Sequence, residues 1–284
     1  MVTSGRGWRG YALLGPAMAA MLLFFAAAMV VLLLLAFQRV EEGQVMSGLT
    51  GANLVRFASN RYYWGVIGTS MKLGAVTVVI SALVGYPVAL AIDRIRGTTV
   101  RGLALFLLFS PLLTSVIVRS YGWELMLGDH GVINTILLDL HILARPLRIL
   151  FEFSGVTVAM VHILLPFMVL PILGVLSQMN PSLVEAAQDL GASRLQVFLR
   201  ILLPLTIQGV VVGCQLVFAL SISAFATPTL LGGGRVQVLA GLIYNDVGQL
   251  DWPLAAVESY ALLVLALATV LVFNRLLRLT ARPA

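Results

Sequence analysis

Charge is scarce in this chain. Lys and Arg number 18 and Asp and Glu 12 in 284 residues, a charged fraction of 11%, where a soluble domain carries about 25%. So few charges cannot cover a water-soluble surface at this length. Intrinsic disorder is excluded from the opposite side, because disorder requires low hydrophobicity and hydrophobic residues make up 60% of the chain. Lysine is nearly absent: Lys72 stands alone, and Met71 precedes it. The phosphate-cradling G-x-x-x-x-G-K-[ST] loop needs a Gly-Lys pair, so any ATP hydrolysis the chain depends on must come from another subunit. One cysteine, Cys214, excludes an internal disulfide framework and any C-x-x-C redox or metal pair. His130, His141 and His162 lie in separate regions with no H-E-x-x-H, which leaves a zinc hydrolase without ligands. No G-x-S-x-G nucleophile elbow occurs either. No cofactor, metal site or catalytic group is therefore expected.

What is present is a set of long uncharged runs. Residues 11–37 hold no Asp, Glu, Lys or Arg, enough to cross a bilayer with some tilt. A signal peptide's apolar region is only about 7–15 residues long, so this run is read as an uncleaved first span. Further uncharged runs cover 73–92, 102–118, 153–184 and 201–234, and 254–274 carries only Glu258. The third span is expected to continue through Arg119 and Glu124 to about Leu127. The fold class is thus all-α, a polytopic membrane protein with six transmembrane helices. Pro87, Pro111, Pro166, Pro171 and Pro228 fall in or at the ends of these runs and predict kinks.

Six spans place both termini on one side. The segments then sharing that side (1–10, 93–102, 180–204 and 275–284) hold 10 Arg in 55 residues, and the opposite set (38–64, 128–155 and 231–256) holds 6 in 81. The denser set is assigned to the cytoplasm. The same rule accounts for the net charge of +6, and the short basic runs give no support to a nucleic-acid partner. On the other side, a short helix is expected after Gly131, and Asp251-Trp252-Pro253 reads as a helix start.

The polar stretch 180–204 carries the most information. Asn180-Pro181 starts a helix, and Ser182-x-x-Glu185 fits a capping box. Leu183, Val184, Ala187 and Leu190 fall on one face. Gly191 ends this helix in the left-handed conformation. Ser193-x-x-Gln196 is a second capping box, followed by a second short helix running to Pro204. On local physics alone, this helix–turn–helix could also be an interfacial hairpin lying on the membrane.

Glu185-Ala186-Ala187, three residues, Gly191, nine residues, Ile201, two residues and Pro204 resemble the "EAA" signature of permease subunits in binding-protein-dependent ABC importers. Gly85-Tyr-Pro-Val-Ala89, Ser115 to Trp123, His162 to Phe167 and Asp251-Trp-Pro253 resemble the spermidine/putrescine branch of that family. The resemblance implies a single type I ABC importer permease domain over residues 1–284, with a core of about 65–276, a first span at 11–37 and a cytoplasmic coupling loop at 180–204. It implies a multi-pass protein of the bacterial inner (plasma) membrane. Its partners would be a cytoplasmic ABC ATPase dimer that binds the ATP, a second permease subunit (identical or not), a periplasmic or extracellular solute-binding protein and membrane lipid. Glu185, Ala186, Ala187, Asp189, Gly191 and Pro204 would couple to the ATPase. The solute would be a polyamine or another small solute such as an aminophosphonate or an opine-like compound. A secondary transporter is the rival class, but it predicts coupling-ion carboxylates near mid-membrane, and the acidic residues here cluster at span ends.

Candidate pathway residues are Arg119, Tyr121, Trp123, Glu124, Ser223 and Glu258. Glu124 and Glu258 could meet ammonium groups, or serve as caps or ion-pair partners of Arg119. Arg119 and Trp123 at i, i+4 could form a cation–π pair. Ser221, Ser223 and Thr227 could face the pathway or pack. Lys72 is expected to snorkel to the interface, and His162 to pack.

Overall fold

The computed structural model describes residues 7–41 and 44–280. The architecture is helical, with one small hairpin. In chain order come α1 (Gly7–Ala36), β1 (Gln38–Glu41), β2 (Gln44–Leu49), α2 (Ala52–Ser59), α3 (Arg61–Arg94), α4 (Thr98–Leu113), α5 (Val116–Leu127), α6 (Val132–Asp139) and α7 (Phe153–Leu176). Then follow α8 (Ser182–Asp189), α9 (Arg194–Val197), a π turn at Phe198–Leu202, α10 (Leu203–Ser223), α11 (Ala226–Gly232), α12 (Leu239–Gly248) and α13 (Trp252–Thr280). Among the described residues, five helices are long and apolar enough to span a membrane, and the pair from Thr98 to Asp139, bent by 100°, makes a sixth if it counts as one broken span. The hairpin was not expected from the sequence. Its antiparallel strands pair Val40 with Val45, with an irregularity between Gln38 and Arg39.

Two compact units emerge. One holds the described residues up to Arg61 together with Ile243–Tyr260, and the other holds Tyr62–Leu242 and the described residues from Ala261 onward. In the first, Asn53 Nδ2 donates to the carbonyls of Ala36 at 3.1 Å and Gln38 at 2.8 Å. The first satisfies an orphan carbonyl at the end of α1, and the second holds the start of β1. The Tyr260 hydroxyl donates to the Met29 carbonyl, tying α13 to α1.

The second unit is organised on α7, whose Val156, Ala159, Met168, Val169 and Ile172 are completely buried. Helix α10 runs against it at glycine contacts. A Cβ at Gly209 would lie 2.7 Å from the Pro171 carbonyl oxygen, and one at Gly213 would lie 3.1 Å from that of Met168. Small residues let backbones approach without a hydrophobic drive, the usual basis of helix association in lipid.

The third span departs from expectation. It does not run straight from 102 to 127: α4 ends at Leu113, α5 begins at Val116, and the bent pair turns by 100°. Thr114 and Ser115 take extended backbone at the break. Pro111 has removed an amide donor there, and the carbonyls freed near the end of α4 find side-chain partners.

Candidate functional site

The stretch 180–204 folds as a rigid corner. Helix α8 has no buried residue, and Leu190, at its C-cap, is 89% exposed. Gly191 follows with φ +83°, the left-handed conformation that glycine alone adopts without strain. Its amide donates to the Gln188 carbonyl at 2.9 Å, and the Ala192 amide donates to that of Ala187 at 3.0 Å. Ser193 then closes the anticipated capping box: its Oγ accepts the Gln196 amide at 3.3 Å, and its own amide donates to Gln196 Oε1 at 2.8 Å.

Two local expectations are corrected. The Ser182–Glu185 box does not form, because Pro181 occupies the N-cap and Asn180 Oδ1 accepts the Ser182 amide at 3.1 Å instead. The asparagine reaches the free amide first, in an Asx turn. Nor does the second helix stop at Pro204. The chain runs as one helix from Arg194 to Ser223, and the π turn absorbs the proline, with the Leu203 amide donating to the Phe198 carbonyl. Widening the turn by one residue changes the register where Pro204 lacks a donor.

Two contacts anchor this corner to α3. The Tyr86 hydroxyl shares a hydrogen bond of 2.7 Å with Thr206 Oγ1, and the Tyr86 ring meets Phe198 edge-on at 5.2 Å. Leu183, Leu195 and Leu199 remain exposed. Glu185, Ala186, Ala187, Asp189 and Gly191 thus lie on a stiff, apolar-edged projection, and Pro204 lies where it joins α10. Tyr86 stood out in the sequence only as part of the Gly85–Ala89 motif, because nothing there pairs it with Thr206.

The break between α4 and α5 borders a cavity of about 530 Å³ lined by Ser110, Pro111, Arg119, Trp123, Met126 and His162, among others. Arg119 Nη1 donates to the Pro111 carbonyl, and to that of Thr114 at 3.4 Å. The guanidinium therefore caps the broken helix, and the expected cation–π pair gives way to that role. Trp123 turns to His162 instead: Nε1–H donates to Nδ1 at 3.3 Å, with the rings edge to face at 5.3 Å. Glu124 is half-buried and, among the described residues, makes no ion pair with Arg119. Tyr121 is exposed. The Lys72 Nζ sits 4.8 Å over the ring of Phe153, the first residue of α7, in a cation–π contact. Ser223 bonds back to the Ala219 carbonyl at 2.9 Å, which spends its hydroxyl on its own helix. Ser120 and Thr227 pair at 3.4 Å in the interior.

Glu258 is the remaining candidate. It is fully buried, and neither carboxylate oxygen meets a donor. Its carboxyl faces that of Asp246 on α12, and a hydrogen bond joins the two only when one holds a proton. Burial pushes the Asp246 carboxyl above its ordinary value; the Asp251 charge adds to the rise, while a bond from Glu258 and the Arg56 charge oppose it. Arg56 Nη1 pairs with Asp251 Oδ2 at 3.2 Å. Asp251 Oδ1 also accepts the Leu254 amide at 3.4 Å, as the sequence predicted for the start of α13. Asp246 was missed, because a carboxylate on a separate short helix gives no local sign of its neighbour.

Residues 1–282 match the family model described as "Binding-protein-dependent transport system inner membrane component". The chain is 36% identical over 217 residues to the spermidine/putrescine transport system permease protein PotB of Haemophilus influenzae, covering 76% of each chain. The identity to PotB of Escherichia coli is also 36%, over 218 residues, covering 76% of this chain and 79% of that one. Among solved structures, a chain of a bacterial alginate ABC transporter, crystallised in complex with an alginate pentasaccharide-bound periplasmic protein, superposes with a TM-score of 0.79. It is 20% identical, with 98% of this chain and 97% of that chain covered. At that identity the likeness speaks for the fold alone.

Proposed function

The chain belongs to the family of binding-protein-dependent transport system inner membrane components, and from that premise we propose how it moves its solute and which solute it moves. It is a multi-pass inner-membrane permease subunit of an ABC importer, with the type I permease fold, and not an enzyme. The solute is a polyamine of the spermidine or putrescine kind. The observation that carries this assignment is the 36% identity over 76% of the chain to permeases of spermidine/putrescine systems.

Coupling runs through 180–204. An ATPase subunit receives α8 and its exposed leucines. Gly191 and the Ser193 box keep the corner from flexing, so that movement of α8 tilts the helix from Arg194 to Ser223. Glu185, Ala186, Ala187 and Asp189 form the seat, Gly191 the corner and Pro204 the joint. Both termini and this loop lie in the cytoplasm, as the arginine density favours. A second permease subunit completes the bundle, a solute-binding protein delivers from outside, and ATP is bound by the ATPase pair. Near the outer ends of their spans, Glu124 and Glu258 offer carboxylates to ammonium groups, and Tyr121 and Trp123 offer aromatic faces.

The test is uptake of labelled spermidine and putrescine by cells lacking other polyamine importers and supplied with the whole transporter. Saturable uptake that fails in Gly191→Pro, with the permease still in the membrane, is the expected result. Uptake of neither amine would refute the solute assignment. Normal uptake by Gly191→Pro would refute the coupling role.

A further inference from the structure

Glu258 lies in the second turn of α13, wholly buried, with both carboxylate oxygens lacking a donor. The charged groups facing it are Asp246 from α12, Asp251 just before α13 and Arg56 from α2. Arg56 is already matched by Asp251 at 3.2 Å, so the Asp246–Glu258 pair has no countercharge of its own. The corner that brings the pair together is tightly built. Leu250 takes φ +65°, and the Asp251 amide donates to the Asp246 carbonyl at 3.0 Å. A buried ionised carboxylate without compensation is costly, and two side by side are costlier. The pair therefore requires one positive charge, supplied by a proton or by a bound cation. Asp246 is half-buried and Glu258 fully buried.

We propose that Asp246 and Glu258 form a site for one primary ammonium group, at which the solute's positive charge replaces a proton. The site rests on the cationic-solute reading given above. When it is empty, the Glu258 O–H donates to the Asp246 carboxylate. As the solute arrives, that O–H bond breaks and the proton leaves to water past Asp246. The R–NH3+ group then donates to both carboxylates. One positive charge enters, one leaves, and nothing is oxidised or reduced. Three N–H donors suit two facing carboxylates, so the site discriminates against a quaternary ammonium of the same charge, which has none.

The experiment uses the assembled importer, both permease subunits with the ATPase pair, reconstituted in lipid. Infrared difference spectra are recorded with and without saturating putrescine. The expected result is loss of a protonated-carboxyl C=O band, absent from the outset in Glu258→Gln. Uptake is then followed with the binding protein saturated, so that capture drops out. The rate should rise with pH in the native importer and lose that slope in Glu258→Gln, falling about tenfold or more as a charge-assisted bond is lost. Asp246→Asn should show the same loss of slope, which keeps the test usable if Glu258→Gln does not assemble. Glu152→Gln, outside the site, should keep the slope. A band indifferent to putrescine while putrescine is still transported overturns the exchange and leaves the polyamine reading standing. Loss of the band with sodium or potassium alone, or with a quaternary diamine, overturns the ammonium assignment. Uptake of no amine at all removes the reading and the exchange together.

Discussion

Tyr86 joins two spans through a single oxygen. Its hydroxyl and Thr206 Oγ1 lie 2.7 Å apart in the interior, and Thr206 also donates to the Leu202 carbonyl at 2.7 Å. That chain of bonds links α3 to the π turn, through which the proposed coupling from α8 would pass. A neutral buried hydrogen bond is worth about 0.5–1.5 kcal/mol net. Tyr86→Phe keeps the ring on Phe198 and leaves Thr206 its own helix carbonyl, so a loss near that range is expected in thermal unfolding. Its transport should fall further than its melting temperature suggests, with more ATP hydrolysed per solute moved. An unchanged ratio of hydrolysis to uptake would show that the bond takes no part in coupling. Asp246 gives a second residue-scale prediction, this one in pH. Burial raises its carboxyl above the ordinary value of 3.8, so folding favours the protonated form. That contribution is fully present below 3.8 and is lost as pH rises through the raised value. Asp246→Asn should remove this fall in melting temperature, and a variant whose melting temperature still drops with pH like the native protein's would contradict the assignment.

Among the elements, the pair α7 and α10 has little room for change. A methyl group at Gly209 would press on the Pro171 carbonyl at 2.7 Å and its neighbour's Cα at 3.1 Å. Those are backbone atoms, which cannot swing aside as a side chain can. Gly209→Ala should therefore cost about 1–3 kcal/mol through overpacking, seen as lower yield and earlier thermal aggregation in detergent. The same change at Gly174, where nothing lies within 4 Å, should be close to silent; equal effects at both sites would rule out the packing account. Most elements could be read from the sequence because their signals are local. Uncharged runs marked the spans, Gly191 marked its own turn, and Ser193 with Gln196 marked the cap. The broken third span was hidden because charge-free composition records length but not direction. Pro111 was visible, but the use of Arg119 as a cap depends on where the chain returns after Ser115. The pairings of Asp246 and Tyr86 were hidden for the same reason, since their partners, Glu258 and Thr206, sit on other helices. Arg119→Gln should loosen the break at a cost of about 1.5–3 kcal/mol for bonds from a charged donor. Faster amide exchange at Thr114 and Ser115 would register the loosening, and unchanged exchange there would remove the capping role.

At the scale of the whole molecule, the direction of transport depends on which way the chain is threaded. The coupling corner serves an importer only if it lies on the cytoplasmic side of the membrane. Counting α4 with α5 as one broken span gives six crossings, which puts the segment near Gly97 and the corner near Gly191 on one side and the α6 region on the other. The proposed sign rests on arginine density: the side holding residues 93–102 and 180–204 has 10 Arg in 55 residues against 6 in 81 opposite. Single cysteines placed in a Cys214→Ala background test both steps at once. Gly97→Cys and Ala192→Cys should resist an impermeant maleimide in intact cells, and Gly97→Cys should react once the membrane is opened. Ala144→Cys, exposed beyond α6, should react in intact cells. If Gly97 and Ala144 react from the same side, the bent pair turns back within the membrane and there are five crossings. If all three positions keep their alternation but with the sides exchanged, the count of spans survives and the arginine argument fails. In that case α8 would face away from any cytoplasmic ATPase, and the coupling assignment would fall with it.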